Sequence, residues 1–476
     1  MSRDDLSKKL DAGIERGLLF LLIFTALAFG AVQEWASAVM EAAAFLVLGL
    51  WLLSRYRQDH ILLQDRKLLG LIAVVAGIVL LQIVPLPAPL LKALFPSTWN
   101  VYRDFSGAPP DAWHSISIHP WATQQGILRL FAYASVFIVI INHVREQEQI
   151  DRLVRTIVAL GSFLVVFALI QKATWNGRIY WFYPTEAHSE AFRNFAIWGP
   201  FVNRNHFAGY ITMIVPLGLS LLLYRTARSG RFSDRSLTDN LAAFLSSSGF
   251  FAMGVWGILS LMMTAAVFMT LSRGGIISLV CALAVLFLLA RQRRRIGRMA
   301  APFAVLGLLL VLMIIIAGWD QIAERFEQLA EDRSLRRADV WMDSLRMLRD
   351  FPFLGTGLGT FGSIYSRYQT HSSTSLFDHA HNDYVELMTD TGLIGFLAAA
   401  ALAVVFLVMI IRQWRTRHRT YVKALGAGGI ASCASLLFHG MTDFNFHIPA
   451  NAMLWTMIAG TTYAVVFNVG RSREAG

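Results

Sequence analysis

"HAHNDYVELMTDTGLIGFLAAAALAVVFLVMIIRQWRTRHR", residues 379–419, passes from polar to apolar to basic in one continuous stretch. Its middle, Leu393–Ile411, has the length and composition of the ~20 apolar residues that a helix needs to cross a bilayer. One mouth carries His379, His381, Asn382 and the carboxylates of Asp383, Glu386 and Asp390; the other carries Arg412, Arg415, Arg417 and Arg419. The segment reads as a membrane span with chemistry at one end and a charge anchor at the other.

The same pattern recurs along the chain. Of 476 residues, 55% are hydrophobic and only 15% charged, with a mean hydropathy of +0.51; a soluble domain carries about a quarter charged residues. Spanning segments are expected at Gly17–Val32, Ser37–Leu53, Leu68–Leu86, Gly126–Asn142, Leu153–Ile170 and Gly209–Tyr224. Further ones follow at Phe251–Thr270, Gly274–Ala290, Ala300–Gly318, Leu393–Ile411, Leu425–Phe438 and Ala450–Phe467. The expected fold is therefore all-α: a polytopic membrane protein of about twelve transmembrane helices with a large helical periplasmic loop.

Basic residues orient these spans. Alternate loops carry "SRYRQDH", "RTARSGRFSDR", "RQRRRIGR" and "RQWRTRHR", and both termini are basic. The positive-inside rule assigns these loops and both chain ends to the cytoplasm. The net charge of +11 is then a topology signal, and no nucleic-acid partner is expected. "MSRDDLSKKLDAGIER" carries charges of both signs and leads into many spans, so an uncleaved first helix is expected rather than a signal peptide. Cys281 and Cys433 fall inside spans as packing residues and support neither a disulfide framework nor a zinc site.

On the opposite side, three segments exceed simple turns: Pro87–Gln125, Gln171–His206 and Trp319–Gly392. The third holds amphipathic periodicity in "WDQIAERFEQLAED" and "SLRRADVWMDSLRMLRDF". Residues 1–476 are thus expected to form a single membrane domain with residues 319–392 as a periplasmic capping loop within it.

Within that loop, Arg336 has helical-spacing partners in Asp332 and Asp339. Arg337 has none: its i±3 and i±4 neighbours are Arg333, Ser334, Val340 and Trp341. Arg333, Arg337 and Trp341 form a cationic and aromatic stripe that awaits an anion from elsewhere. Arg273, in "LSRGGIIS", sits where a span meets the outer face; it either snorkels to headgroups or binds a guest, and Gly274 and Gly275 favour a phosphate-sized one. "FPFLGTGLGTF" lacks the Lys-Ser or Lys-Thr of a nucleotide loop and reads as a tight turn back to the membrane. Asp378 is a suitable N-cap for a helix from His379 to Asp390, closed by Gly392. On such a helix His379 and His381 point about 200° apart, which disfavours joint chelation. A metal site from Asp378, His379, His381 and Asp383, a pair of capped interfacial histidines, and a general base are the three readings left open.

In this order, "GPFVNRNHFAGY", "LSRGG", "RADVW", "PFLGTGLGTF" and "HAHNDYVELMTDTGLIG" resemble the O-antigen ligase and polymerase superfamily. The resemblance is strongest over residues 199–395, and the earlier spans match only in hydropathy. It implies a multi-pass enzyme of the bacterial inner membrane with a periplasmic active site, transferring a glycan from undecaprenyl diphosphate to an acceptor hydroxyl. It implies no nucleotide donor, no cofactor and no metal. The catalytic residues it implies are Arg273 of the Ser-Arg-Gly element, Arg337 of the Arg-x-x-x-Trp element and His381 of the His-Asn element. Asn382, Asp383, Trp341 and the Asn203, Arg204 and His206 of "NRNH" are the implied substrate contacts. "NRNHFAGY" is not shared by all lipopolysaccharide ligases.

The chemistry suits these residue types. Two arginines can stabilise a departing diphosphate through charge-assisted hydrogen bonds. A positioned histidine can take the proton of the attacking hydroxyl, and one displacement inverts the anomeric centre. The aromatics Tyr180–Pro184 either hold sugar rings or form an interfacial belt. The acceptor is lipid A–core for a ligase, the leading reading, or a lipid-linked glycan for a polymerase, the alternative. A protein O-oligosaccharyltransferase comes third. A polysaccharide transporter ranks last, because Glu41, Arg129, His439 and Asp443 are expected near span ends rather than at the midplane.

Overall fold

Water is absent from the bilayer core, so a spanning backbone must bond to itself, and long apolar segments there become helices. The computed structural model follows this rule throughout the residues it describes: 3–57, 64–105, 107, 109, 111–184, 196–228, 250–291, 333–370 and 377–469. The helices are α1 (Arg3–Leu27), α2 (Glu34–Arg57), α3 (Arg66–Gln82), α4 (Ala88–Leu94), α5 (Pro96–Phe105), α6 (Pro120–His143) and α7 (Gln147–Ala173). After a two-stranded antiparallel hairpin of β1 (Arg178–Ile179) and β2 (Tyr183–Pro184) come α8 (Arg204–Arg228), α9 (Phe250–Met269) and α10 (Arg273–Arg291). The rest are α11 (Arg333–Asp350), α12 (Phe361–Ile364), α13 (Asp383–Thr416), α14 (Thr420–His439) and α15 (Pro449–Tyr463), which runs into a π-turn over Ala464–Asn468.

Among the described residues, eight helices are long and apolar enough to cross a membrane, and Gly254–Met269 is a shorter apolar one. The chain is therefore an all-α, multi-span membrane protein. The segments expected at Gly17–Val32 and Leu68–Leu86 are α-helical only as far as Leu27 in α1 and Gln82 in α3. The one expected at Ala300–Gly318, like "WDQIAERFEQLAED", Asp332 and most of the basic loops after α8 and α10, lies outside the described residues.

The centre of the bundle is α14, which packs on α8, α10 and α15. Gly428 lets it approach α8 closely: a Cβ there would meet the Ser220 side chain and the Pro216 carbonyl oxygen. Such small-residue crossings let membrane helices gain van der Waals contact where no hydrophobic drive separates helix from lipid. Glu41 and Arg129 sit about 10 and 14 Å from the starts of α2 and α6 at 1.5 Å per residue, with Arg129 Nε 3.7 Å from Glu41 Oε1.

One break shapes the polar end of α13. Gly392 interrupts α13 with φ 66° and ψ −177°, in a region that L side chains avoid. The N–H groups freed there, of Leu393 and Ile394, donate to the Pro352 and Phe353 carbonyls at 2.8 and 3.1 Å. The glycine-rich segment continues this wrapping: Thr356 N–H and Gly357 N–H donate to the Thr389 and Asp390 carbonyls at 3.0 and 2.9 Å. Gly355 (φ 67°) leaves no room for a Cβ against the Asp390 backbone. "FPFLGTGLGTF" thus caps the broken turn of α13. Gln82, at the end of α3, ties both parts together, its Nε2 donating to the Leu354 and Asp390 carbonyls at 2.7 and 2.8 Å.

Above this belt, Val340 and Met347 of α11, with Phe351 just beyond it, pack against Phe361 and Tyr365. Buried Asp343 fastens it further, accepting from Thr370 Oγ1 at 2.9 Å and the Tyr365 hydroxyl at 3.2 Å. Arg337 is therefore carried on a helix with its own small core.

Candidate functional site

Helix ends from distant parts of the chain meet in one small cleft. Its lining includes Arg204 and Asn205 from the start of α8, Ser272, Arg273 and Gly274 from the start of α10, and Arg337 from α11. His439, Thr442 and Asp443, at and beyond the end of α14, complete the wall. Both helix starts have side-chain caps: Asn203 Oδ1 accepts from Asn205 N–H at 2.8 Å, and Ser272 Oγ from Gly275 N–H at 3.2 Å. Two helix N-termini with positive dipole ends thus face a cleft that already holds three guanidinium groups. Asp443 is the single carboxylate of the lining. The other ends of these helices carry Arg225 and Arg228, or Arg291, so the cleft lies opposite the basic anchors.

Arg273 and Arg337, 64 positions apart in the chain by subtraction of their numbers, line the same cleft. Arg337 Nη1 donates to the Thr442 carbonyl at 2.8 Å, which sets its direction. The stripe expected with Trp341 divides: Trp341 Nε1 donates to the Ala380 carbonyl at 3.0 Å and braces the histidine segment. The side chains of Arg333 and Arg336 lie outside the description, so the expected pairing of Arg336 is outside it too.

The histidine segment is not helical, contrary to expectation. His381 has φ 50°, and the cap of α13 is Asn382, not Asp378: its Oδ1 accepts from Tyr384 N–H and Val385 N–H at 3.0 and 3.2 Å. His379 and His381 therefore precede the helix and diverge to different carboxylates. His381 Nδ1–H donates to Asp443 Oδ1 at 3.2 Å, and Asp443 also accepts from Phe444 N–H at 3.0 Å. His381 is not itself in the cleft lining; it reaches the cleft's edge through Asp443. Burial acts to raise the Asp443 carboxyl, but the His381 hydrogen bond and the Arg337 charge outweigh it and hold the group well below the usual carboxylate range.

A second network backs the first. His447 donates from Nδ1 to Asp383 Oδ1 at 3.0 Å, and its Nε2 forms an ion pair with Glu386 Oε1, 3.2 Å away. Burial alone would lower its pKa, but Glu386 and the Asp383 hydrogen bond push it up to about 10, so it is an imidazolium. His379 Nδ1–H donates to the same Glu386 oxygen at 2.7 Å, and its ring stacks on Phe444 at 4.0 Å. His379, Glu386 and His447 place three ligand-type atoms within 4.8 Å of one another, the described group best suited to a metal. It differs from the expected quartet of Asp378, His379, His381 and Asp383, and hydrogen bonds and ion pairs within the protein engage all three residues.

The remaining candidates are partly committed to this scaffold. Asn382 also donates from Nδ2 to the Met441 carbonyl at 3.1 Å, and Asp383 is buried against Phe446 N–H and His447. Asn203 is a helix cap. His206 is buried edge-on to Phe444 with ring centroids 4.8 Å apart. The space beside Gly274 is taken by Thr442 and the His439 ring, and that beside Gly275 by Ala208, so neither glycine makes room for a guest. Tyr180–Pro184 pack at the ends of α1 and α2, the Tyr180 hydroxyl donating to the Leu27 carbonyl at 2.6 Å. Sequence reasoning passed over His439 and Asp443 as site residues; the polar run "FHGMTDFNFH" between two spans was the available signal.

Residues 258–400 match a family model described as O-antigen ligase. Over that stretch the chain is similar to the O-antigen ligase family. No curated protein matches it. The matched stretch contains Arg273, Arg337 and His381 and stops before His439 and Asp443. The chain is thus a multi-span membrane protein that shares, over residues 258–400, similarity with ligase- or polymerase-like membrane glycosyltransferases.

Proposed function

We propose that this O-antigen ligase-like protein moves a glycan from undecaprenyl diphosphate to an acceptor hydroxyl on the periplasmic face of the bacterial inner membrane, lipid A–core being the leading acceptor. The observation that carries the reading is the cleft, in which Arg204, Arg273 and Arg337 meet two helix N-termini beside an Asp443–His381 pair. Arg273 and Arg337 hold the diphosphate and take up the charge that develops as the anomeric carbon–oxygen bond breaks. His381, its Nδ1–H fixed on Asp443, presents Nε2 to the acceptor hydroxyl and removes its proton as the new bond forms. A single displacement inverts the anomeric centre. The charge stabilisation this step needs comes from guanidinium groups, so the scheme assigns no step to a metal.

A deletion strain tests the reading and separates it from its alternative. Loss of all glycan chains from lipid A with lipid-linked polymer accumulating supports a ligase. Single repeat units still attached to lipid A identify a polymerase, which would use the same cleft. An unchanged surface-glycan profile would overturn both.

A further inference from the structure

His439 is the one buried side chain of the cleft wall, among those described, whose hydrogen-bonding capacity is wholly unmet. It closes α14, is 1% exposed, and neither Nδ1 nor Nε2 has a partner. Buried polar atoms are seldom left so, and an orphan in a native site calls for an absent partner. The ring lies flush with the first turn of α10: a Cβ built on Gly274 would fall 3.0 Å from Nε2. Around it stand Arg204, Arg273 and Arg337, and a guanidinium has no acceptor to offer an imidazole N–H. Asp443 Oδ1, on the lone carboxylate of the lining, is already engaged by His381 and Phe444 N–H. The missing partner is an acceptor that tolerates three neighbouring cations, and a phosphate oxygen has both properties.

We propose that His439 is a further substrate contact, its imidazole N–H donating to a phosphate oxygen of the diphosphate in this cleft. The assignment rests on the proposed reading of the cleft as the donor's diphosphate site. It extends that reading to a residue beyond the stretch matched by the family model.

Binding of inorganic diphosphate and of farnesyl diphosphate to the purified full chain in nanodiscs tests it, read as affinity and as ligand-induced gain in thermal stability. His439→Phe keeps the ring and removes both nitrogens, whereas His439→Gln keeps a donor. Affinity is expected to fall about tenfold in His439→Phe, the scale of one hydrogen bond to a charged acceptor, and to recover most of that in His439→Gln. The ligand-free His439→Phe protein should be no less stable than wild type, since it loses an unpaired buried group, while its ligand-induced stabilisation shrinks. A merely structural role predicts the reverse pattern. Wild-type affinity in His439→Phe, with binding lost in Arg273→Ala, overturns the histidine assignment and leaves the diphosphate reading standing. No binding by the wild type overturns both. Stabilisation by phosphatidylglycerol nanodiscs as large as that by diphosphate reassigns the contact to a lipid headgroup and overturns the donor assignment.

Discussion

His381 and Asp443 lie 62 positions apart, yet Nδ1 of one sits 3.2 Å from Oδ1 of the other. They are brought together because α13 leaves the cleft end of the bundle and α14 returns to it. The carboxylate selects the tautomer with Nδ1 protonated and leaves Nε2 as the basic nitrogen. Asp443→Asn should keep the fold and lower glycan transfer by ~10²-fold or more, the usual worth of a positioned general base. Transfer assays in proteoliposomes read it directly; undiminished turnover would remove Asp443 from the account.

Arg273→Ala and Arg337→Ala should each abolish detectable surface glycan in a complementation assay while membrane levels of the protein stay normal. Lysine at either position should restore little, because an ammonium cannot reproduce the two-pronged geometry of a guanidinium. Arg336→Ala should behave close to wild type. A loss for Arg336→Ala as severe as for Arg337→Ala would show that the wrong member of the pair has been assigned.

Gly392→Ala should reduce the yield of folded protein. Its φ of 66° and the Phe353 carbonyl against it leave a Cβ nowhere to go, and such strain costs about 1–3 kcal/mol. The check is thermal unfolding in detergent, where Gly70→Ala, on an open helix face, serves as the control that should not lose stability.

The His447 imidazolium predicts a pH dependence with a definite sign. Its pKa is raised to about 10 in the folded protein, against about 6.5 in an unfolded chain. The folded state therefore binds the extra proton between these values, and stability falls as pH rises through that window. Below pH ~6.5 the contribution is complete. In His447→Gln the slope of unfolding temperature against pH from 7 to 10 should flatten; an unchanged slope would mean another group titrates there.

Much of this architecture is legible in the sequence, for physical reasons. Bilayer thickness sets helix length, so Leu393–Ile411 and Ala450–Phe467 announce themselves, and Arg337 stands out because no acid lies a helical turn away. What the sequence hides depends on partners supplied by distant segments. His381 adopts a left-handed backbone conformation, so the cap falls on Asn382 although Asp378 has equal local credentials. Gln82 gains its meaning from Leu354 and Asp390, and Asn203 from a helix start. His439 and Asp443 look like polar residues at span ends until α8, α10 and α11 close around them.

The most direct test of the central claim is a cryo-EM structure of the protein with a bound polyprenyl-diphosphate-linked sugar. The account predicts diphosphate density between the Arg273 and Arg337 guanidinium groups, with the sugar's anomeric carbon on the side of His381. Density for the diphosphate elsewhere, with the cleft between Arg273 and Arg337 empty, would contradict it.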